Sequence, residues 1–173
     1  MLSRLGKVPM KFLKPKYRTT VLLVSILIVV LGYLSIKILS QKKVSEVDDP
    51  WRTKLTAQQY YVLREGGTDV PFSNKEMLEN HEKGTYVTAD CNDPVFRSEQ
   101  KFDSGTGWPS FWAPIDEDAV ILKDDYSGGI KRIEVIGKKC GGHLGHVFDD
   151  GPLPTGKRYC INASALKFIP DNK

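Results

Sequence analysis

The stretch Gly156-Lys157-Arg158-Tyr159-Cys160-Ile161-Asn162, read as an extended strand, projects Arg158, Cys160 and Asn162 from one face. A thiol then sits between a fixed positive charge and an amide. That setting suits a reactive cysteine: the thiolate is the nucleophilic form, a neighbouring guanidinium favours it, and an amide can orient it or its adduct. A lone strand cysteine is more often a small core hydrophobe. The polar residues on its own face argue against that here.

Outward from this strand the chain keeps the same character back to Gly84. Residues 85–88, 120–122 and 130–136 are short runs rich in β-branched side chains, separated by Gly, Pro and Asp turns, and they read as further strands. Before Gly84 the pattern changes to helix signals. Thr56-Ala57-Gln58-Gln59 fits a capping box, with Gly66-Gly67 as its stop. Ser73-Asn74-Lys75-Glu76 repeats the start signal, with Gly84 as the expected end. No internal repeat or low-complexity tract is present.

Two further blocks carry polar and aromatic residues in specific order: Cys140-Gly141-Gly142-His143-Leu144-Gly145-His146-Val147-Phe148-Asp149-Asp150-Gly151-Pro152, and Phe102-Asp103-Ser104-Gly105-Thr106-Gly107-Trp108-Pro109-Ser110-Phe111. With the Cys160 strand they closely resemble the B-type peptide methionine sulfoxide reductases, over roughly residues 54–168. The resemblance implies a mainly β fold, a β-tent of two small antiparallel sheets with short N-terminal helices. It also implies thiol-dependent reduction of methionine-R-sulfoxide in proteins. Cys160 matches the family's nucleophile and Arg158 and Asn162 its strand neighbours. His143 and His146 match the two active-site histidines, Trp108 the indole on which the substrate methyl packs, and Asp150 an acidic residue near the substrate.

The residue types suit that chemistry. Reducing a sulfoxide needs a soft nucleophile for the electrophilic sulfur, an acid for the departing oxygen, and an apolar wall for the S-methyl group. Cys160, then His143 or His146, and Trp108 supply them, and attack leaves a sulfenic acid on Cys160. Taken singly, the histidines could form a metal pair, Trp108 could be core and Arg158 a surface ion-pair partner. A rival of another class is a non-catalytic β-tent module that binds a partner through the same groove.

The chain departs from the family twice. Where many members hold a structural zinc with two Cys-x-x-Cys pairs, this sequence has Thr88 with Cys91 and Gly137 with Cys140. Two thiolates do not complete a four-coordinate site, so no zinc is expected unless Asp90, Asp93 or another side chain fills in. The family positions make Cys91 and Cys140 neighbours and hence a possible disulfide. Thr106 stands where some members carry a resolving cysteine. Cys91, Cys140 or an external thiol or thioredoxin-like donor must then regenerate Cys160, and no organic cofactor is expected.

The chain has 173 residues, enough for one domain and an appendage. Residues 19–36 carry no charge and the apolar character continues to Leu39, close to the length a membrane-spanning helix needs. Residues 1–18 hold six basic and no acidic side chains, so the positive-inside rule keeps this tail in the cytoplasm. The expected organisation is a basic tail (1–18), a transmembrane helix (19–39), a linker (40–52) and an extracytoplasmic catalytic domain (53–170) in a periplasm, on a cell surface or in an endomembrane lumen. A cleaved signal peptide and a mitochondrial import signal are the alternatives. Seven of the 25 basic residues lie before residue 40 and all 21 acids after it, leaving the remainder at −3, so nothing points to nucleic acid.

Overall fold

The computed structural model of the chain describes residues 15–47 and 49–171. Most of the basic tail, residues 1–14, lies outside the described residues. The chain divides into two compact units, Met1–Asp49 and Pro50–Lys173. In the first, helix α1 (Pro15–Val47) contains Val21–Leu39, a stretch of 19 residues with mean hydropathy 2.6 that is long and apolar enough to cross a membrane. At about 1.5 Å per residue it spans about 28 Å, near the hydrocarbon thickness of about 30 Å.

The second unit starts with three short helices, α2 (Trp51–Lys54), α3 (Ala57–Glu65) and α4 (Lys75–Glu79). The α3 capping box forms as read: Thr56 Oγ1 accepts from the Gln59 backbone N–H at 3.2 Å, and Gln59 Oε1 accepts from the Thr56 N–H at 3.0 Å. Gly66, at φ 69°, closes the helix in the left-handed region. Helix α3 thereby buries Val62 and Leu63 completely. In α4 the cap is Asn74 rather than Ser73, its side chain accepting from the Met77 N–H. The helix stops at Glu79 rather than Gly84 because Asn80 turns extended and its Oδ1 accepts from the Glu82 N–H.

The described residues then form nine strands: β1 (Gly84–Thr88), β2 (Pro94–Arg97), β3 (Lys101–Phe102), β4 (Ser110–Phe111), β5 (Val120–Asp125), β6 (Arg132–Gly137), β7 (His143–Phe148), β8 (Arg158–Ile161) and β9 (Leu166–Pro170). They make two antiparallel sheets, one of three strands in the order β2-β1-β9 and one of six in the order β3-β4-β8-β7-β6-β5. The unit is mainly β, as expected, although one sheet is twice the size of the other.

Register divides the larger sheet into two faces. Phe111, Tyr159, Val147 and Ile133 are successive cross-strand partners and point into the core. Aromatic contacts join that face to the smaller sheet: Phe96 stacks on Phe111 at 4.3 Å, Tyr86 meets Phe111 edge-on at 5.0 Å, and Phe96 lies 5.9 Å from Tyr159. The alternate residues, Phe102, Ser110, Cys160, His146 and Glu134, form a second cross-strand row on the opposite face. The candidate site is built on this row.

Candidate active site

Strand β8 places Cys160 half-buried between the fully buried Ile161 and the buried Tyr159, so its backbone is fixed from the core side. The neighbouring β7 can approach because position 145 is glycine: a Cβ there would lie 2.1 Å from the Cys160 carbonyl oxygen. Beside the thiol opens a pocket of about 150 Å³ lined by Thr68, Trp108, Arg132, His146, Phe148 and Asn162 together with Gly145 and Cys160.

His146 is the direct cross-strand partner of Cys160. Its Nε2 lies 2.8 Å from Asp125 Oδ2. Asp125 also receives the Ser127 N–H at 2.8 Å and Arg132 Nη2 at 2.7 Å. Hydrogen bonding from Ser127, then from His146 and Arg132, holds its carboxyl well below the usual carboxylate range. Asp125 is therefore an ionised acceptor, and His146 donates through Nε2, leaving Nδ1 for proton exchange. Burial pushes the His146 pKa down, against the pull of Asp125.

His143 stands one step behind. Its Nδ1 lies 2.7 Å from Glu134 Oε1, its ring centroid is 5.4 Å from that of His146, and its Nε2 is buried without a protein partner among the described residues. Residues three apart in a regular strand face opposite sides. A bulge opposite Val135 and Ile136 absorbs one residue of β7, sends Leu144 into the core, and returns His143 to the site face.

Arg158 precedes Cys160 on the same face. Its guanidinium lies 4.6 Å over the Phe148 ring and donates through Nε and Nη2 to the two Asp150 oxygens, both at 2.8 Å. Asp150, expected near substrate, is thus committed to Arg158 and does not line the pocket. Burial pushes the Cys160 thiol up, while the charge of Arg158 and a hydrogen bond from Thr106, whose hydroxyl is 4.0 Å from Sγ, oppose that shift. Arg158 thus offsets part of the cost of burying the thiol.

Asn162 lines the pocket, yet its amide is engaged. Oδ1 accepts from the Asp69 N–H at 2.8 Å and Nδ2 donates to the Leu144 carbonyl at 3.0 Å. Asp69 is the residue that sequence reading missed most. Its carboxylate accepts from Gln58, the Ser164 hydroxyl and the Ser164 N–H, and its carbonyl accepts from Trp108 Nε1 at 3.0 Å. This buried hub ties α3, the Trp108 loop and the end of β8 together, so the indole stands fixed beside the thiol. Asp125, Arg132 and Glu134 were missed as well. The one local signal was the alternation of Arg132 and Glu134 with Ile133 and Val135, which marks a strand with a polar working face.

The four positions where zinc would bind do converge. Gly137 and Thr88 face each other, a Cβ on Gly137 lying 3.2 Å from Thr88 Cγ2, and Cys91 and Cys140 are joined as a disulfide with a Cα–Cα distance of 6.4 Å. Asp90 is close enough to complete a set of three with the two cysteines. Its oxygens are taken, however: Oδ2 receives Arg64 at 2.6 Å and Oδ1 the Cys91 N–H at 2.8 Å. Two sulfurs bonded to each other and an occupied carboxylate do not fit a tetrahedral zinc. With these two paired, Cys160 is the free cysteine of the chain.

The SelR domain model matches residues 55–170. The chain is 52% identical over 130 residues to "Peptide methionine sulfoxide reductase MsrB" of Methanosarcina barkeri, covering 75% of this chain and 91% of that protein. It is 53% identical over 128 residues to the protein of the same description from Bradyrhizobium diazoefficiens, covering 74% and 91%. For the one from Leptospira interrogans the figures are 48% over 126 residues, covering 73% and 95%.

Proposed function

The chain belongs to the SelR-domain family, and from that premise we propose that it is a peptide methionine-R-sulfoxide reductase with Cys160 as nucleophile. The observation that carries this reading is that the one free thiol of the chain opens into a pocket shared with Trp108 and His146. The substrate S-methyl group packs on the Trp108 ring, which aligns the sulfoxide sulfur with Cys160 Sγ. His146 Nδ1 takes the thiol proton as Sγ attacks and passes it to the sulfoxide oxygen, with Asp125 holding the ring and balancing the transient imidazolium. Oxygen moves to Cys160 as a sulfenic acid and methionine leaves reduced. Arg158, itself anchored by Asp150, favours the developing thiolate. His143 and Glu134 orient His146 from behind, and Asn162 holds Asp69 in place under Trp108.

Cys91 and Cys140 are paired with each other, so the sulfenic acid is resolved from outside. One external thiol condenses with it, releasing water and leaving a mixed disulfide, and a second thiol frees Cys160. A small thiol or a thioredoxin-like dithiol supplies both electrons. Neither a metal nor an organic cofactor takes part.

The catalytic domain is tethered to a membrane through Val21–Leu39, with the basic tail in the cytoplasm and the domain outside it. The charge asymmetry about the apolar stretch supports this orientation, and an oxidising exterior suits the Cys91–Cys140 bond. Protease protection of sealed membrane vesicles tests it.

The activity is tested with the full chain in mild detergent, driven by dithiothreitol, on separate R and S diastereomers of a methionine sulfoxide peptide. Reduction of the R form alone, lost in Cys160→Ser, is expected. A folded chain that reduces neither would favour the non-catalytic module, which the intact site argues against.

A further inference from the structure

A second cavity, of about 220 Å³, shares Trp108 with the Cys160 pocket, and its apolar lining comes from Phe72, Leu78, Phe102 and Pro109. That exceeds the roughly 150 Å³ able to hold a benzene ring. Lys101 also borders it, but its ammonium is spent on the carbonyl oxygens of Leu78, at 2.6 Å, and Asn80, at 3.2 Å. Lys75, Glu79, His81 and Asp103 line it as well, so both signs of charge are present and no single charge dominates, and the aromatic and aliphatic residues favour an apolar side chain over an anion.

Two observations connect it to the reaction. Phe102, Ser110 and Cys160 are successive cross-strand partners, so Phe102 lies two strand spacings, about 9.6 Å, from the nucleophile and faces the same way. An extended chain covers that distance in about three residues at about 3.3 Å each, or in two where the side chains supply the remaining reach. Phe72, moreover, presents apolar surface to solvent at the cavity, being 59% exposed. Phe72 adopts φ 61°, a left-handed conformation uncommon for an aromatic residue, and is held there by its N–H on the Gly107 carbonyl at 2.9 Å. Backbone strain thus keeps an exposed ring at the mouth of a cavity next to the active site.

We propose that this cavity is a substrate subsite, which takes an aromatic or long aliphatic side chain two or three residues from the oxidised methionine in an extended, unfolded polypeptide. The inference rests on the reductase reading and adds a preference to it. Oxidised methionines whose packing is lost lie among apolar neighbours made accessible by the same event. A subsite for such a neighbour directs the enzyme to damaged, locally unfolded segments.

The test uses the full chain in mild detergent with dithiothreitol and a set of methionine-R-sulfoxide peptides of Gly and Ser. A single Phe is moved through the three positions on either side of the sulfoxide. Acetyl-methionine-R-sulfoxide amide, which reaches only the Cys160 pocket, serves as the internal reference. Phe two or three residues away, on one side, is expected to raise kcat/KM about ten-fold, mainly through KM. Phe72→Asn, which tolerates the left-handed backbone, and Leu78→Ser each abolish that gain while leaving the amide unaffected. A flat profile in the wild-type chain, or a preference that survives both substitutions, overturns the subsite. Failure to reduce the amide itself would instead overturn the reductase reading, and the subsite with it.

Discussion

Replacing Cys91 and Cys140 together by serine removes a covalent link between residues 49 apart in sequence. In the chain-entropy account, closing a loop of that length lowers the entropy of the unfolded chain by about 14 cal/mol/K, or about 4 kcal/mol at 25 °C. The folded state keeps the neighbouring contacts, since Arg64 still bridges Asp90 and the Cys140 backbone carbonyl at 2.6 and 2.8 Å. For a domain of this size, with an unfolding entropy near 2.1 cal/mol/K per residue, the loss lowers Tm by about 15 °C. Thermal unfolding of the full chain followed by circular dichroism reads it, in wild type with and without reductant and in the double variant. Reduced wild type and variant should coincide below oxidised wild type, and neither EDTA nor added zinc should move any of the three. A Tm difference under about 3 °C, or recovery of the reduced chain's stability on adding zinc, would refute the view that this bond, rather than a metal, ties the two segments together.

Thr106 lies 4.0 Å from Cys160 Sγ, so Thr106→Cys should supply the resolving thiol that the chain lacks. A single turnover without reductant should then leave a disulfide between positions 106 and 160, seen in a tryptic mass map, in place of a sulfenic acid. Arg158→Met removes the charge that opposes the burial of Cys160. The thiol pKa then rises further, the alkaline limb of the kcat/KM profile moves to higher pH, and the rate at neutral pH drops by about three- to ten-fold. Asp69→Ala strands the Ser164 and Gln58 donors, costs about 2–4 kcal/mol in denaturant unfolding, and raises KM more than it lowers kcat because the segment whose backbone carbonyl holds Trp108 loses its side-chain anchor on Gln58 and Ser164.

The strands flanking Cys160 were legible because a glycine turn and β-branched alternation are local signals. The motif order carried Trp108, His146 and Cys160 to one pocket. What stayed hidden depends on register between distant segments. Asp125 reaches His146 only because β5, β6 and β7 pair in the observed order. The His143 position depends on a bulge that the spacing of two histidines does not reveal. Asp150 and Asn162 were found by motif, yet their side chains are engaged with Arg158 and Asp69, partners that only the hydrogen-bond network could show. Asp69 sits between two helices in a segment without periodicity, and its importance comes from residues 11 to 95 positions away.

The central claim is that Cys160 itself accepts the sulfoxide oxygen, and a single turnover tests it most directly. Full chain, first reduced and then freed of reductant under conditions that restore the Cys91–Cys140 bond, is mixed with excess methionine-R-sulfoxide peptide and a sulfenic-acid trap such as dimedone. One equivalent of methionine peptide per chain, with the dimedone adduct on Cys160, is the predicted result. Absence of product from a folded chain, or an adduct on Cys91 or Cys140 with Cys160 unmodified, would contradict it.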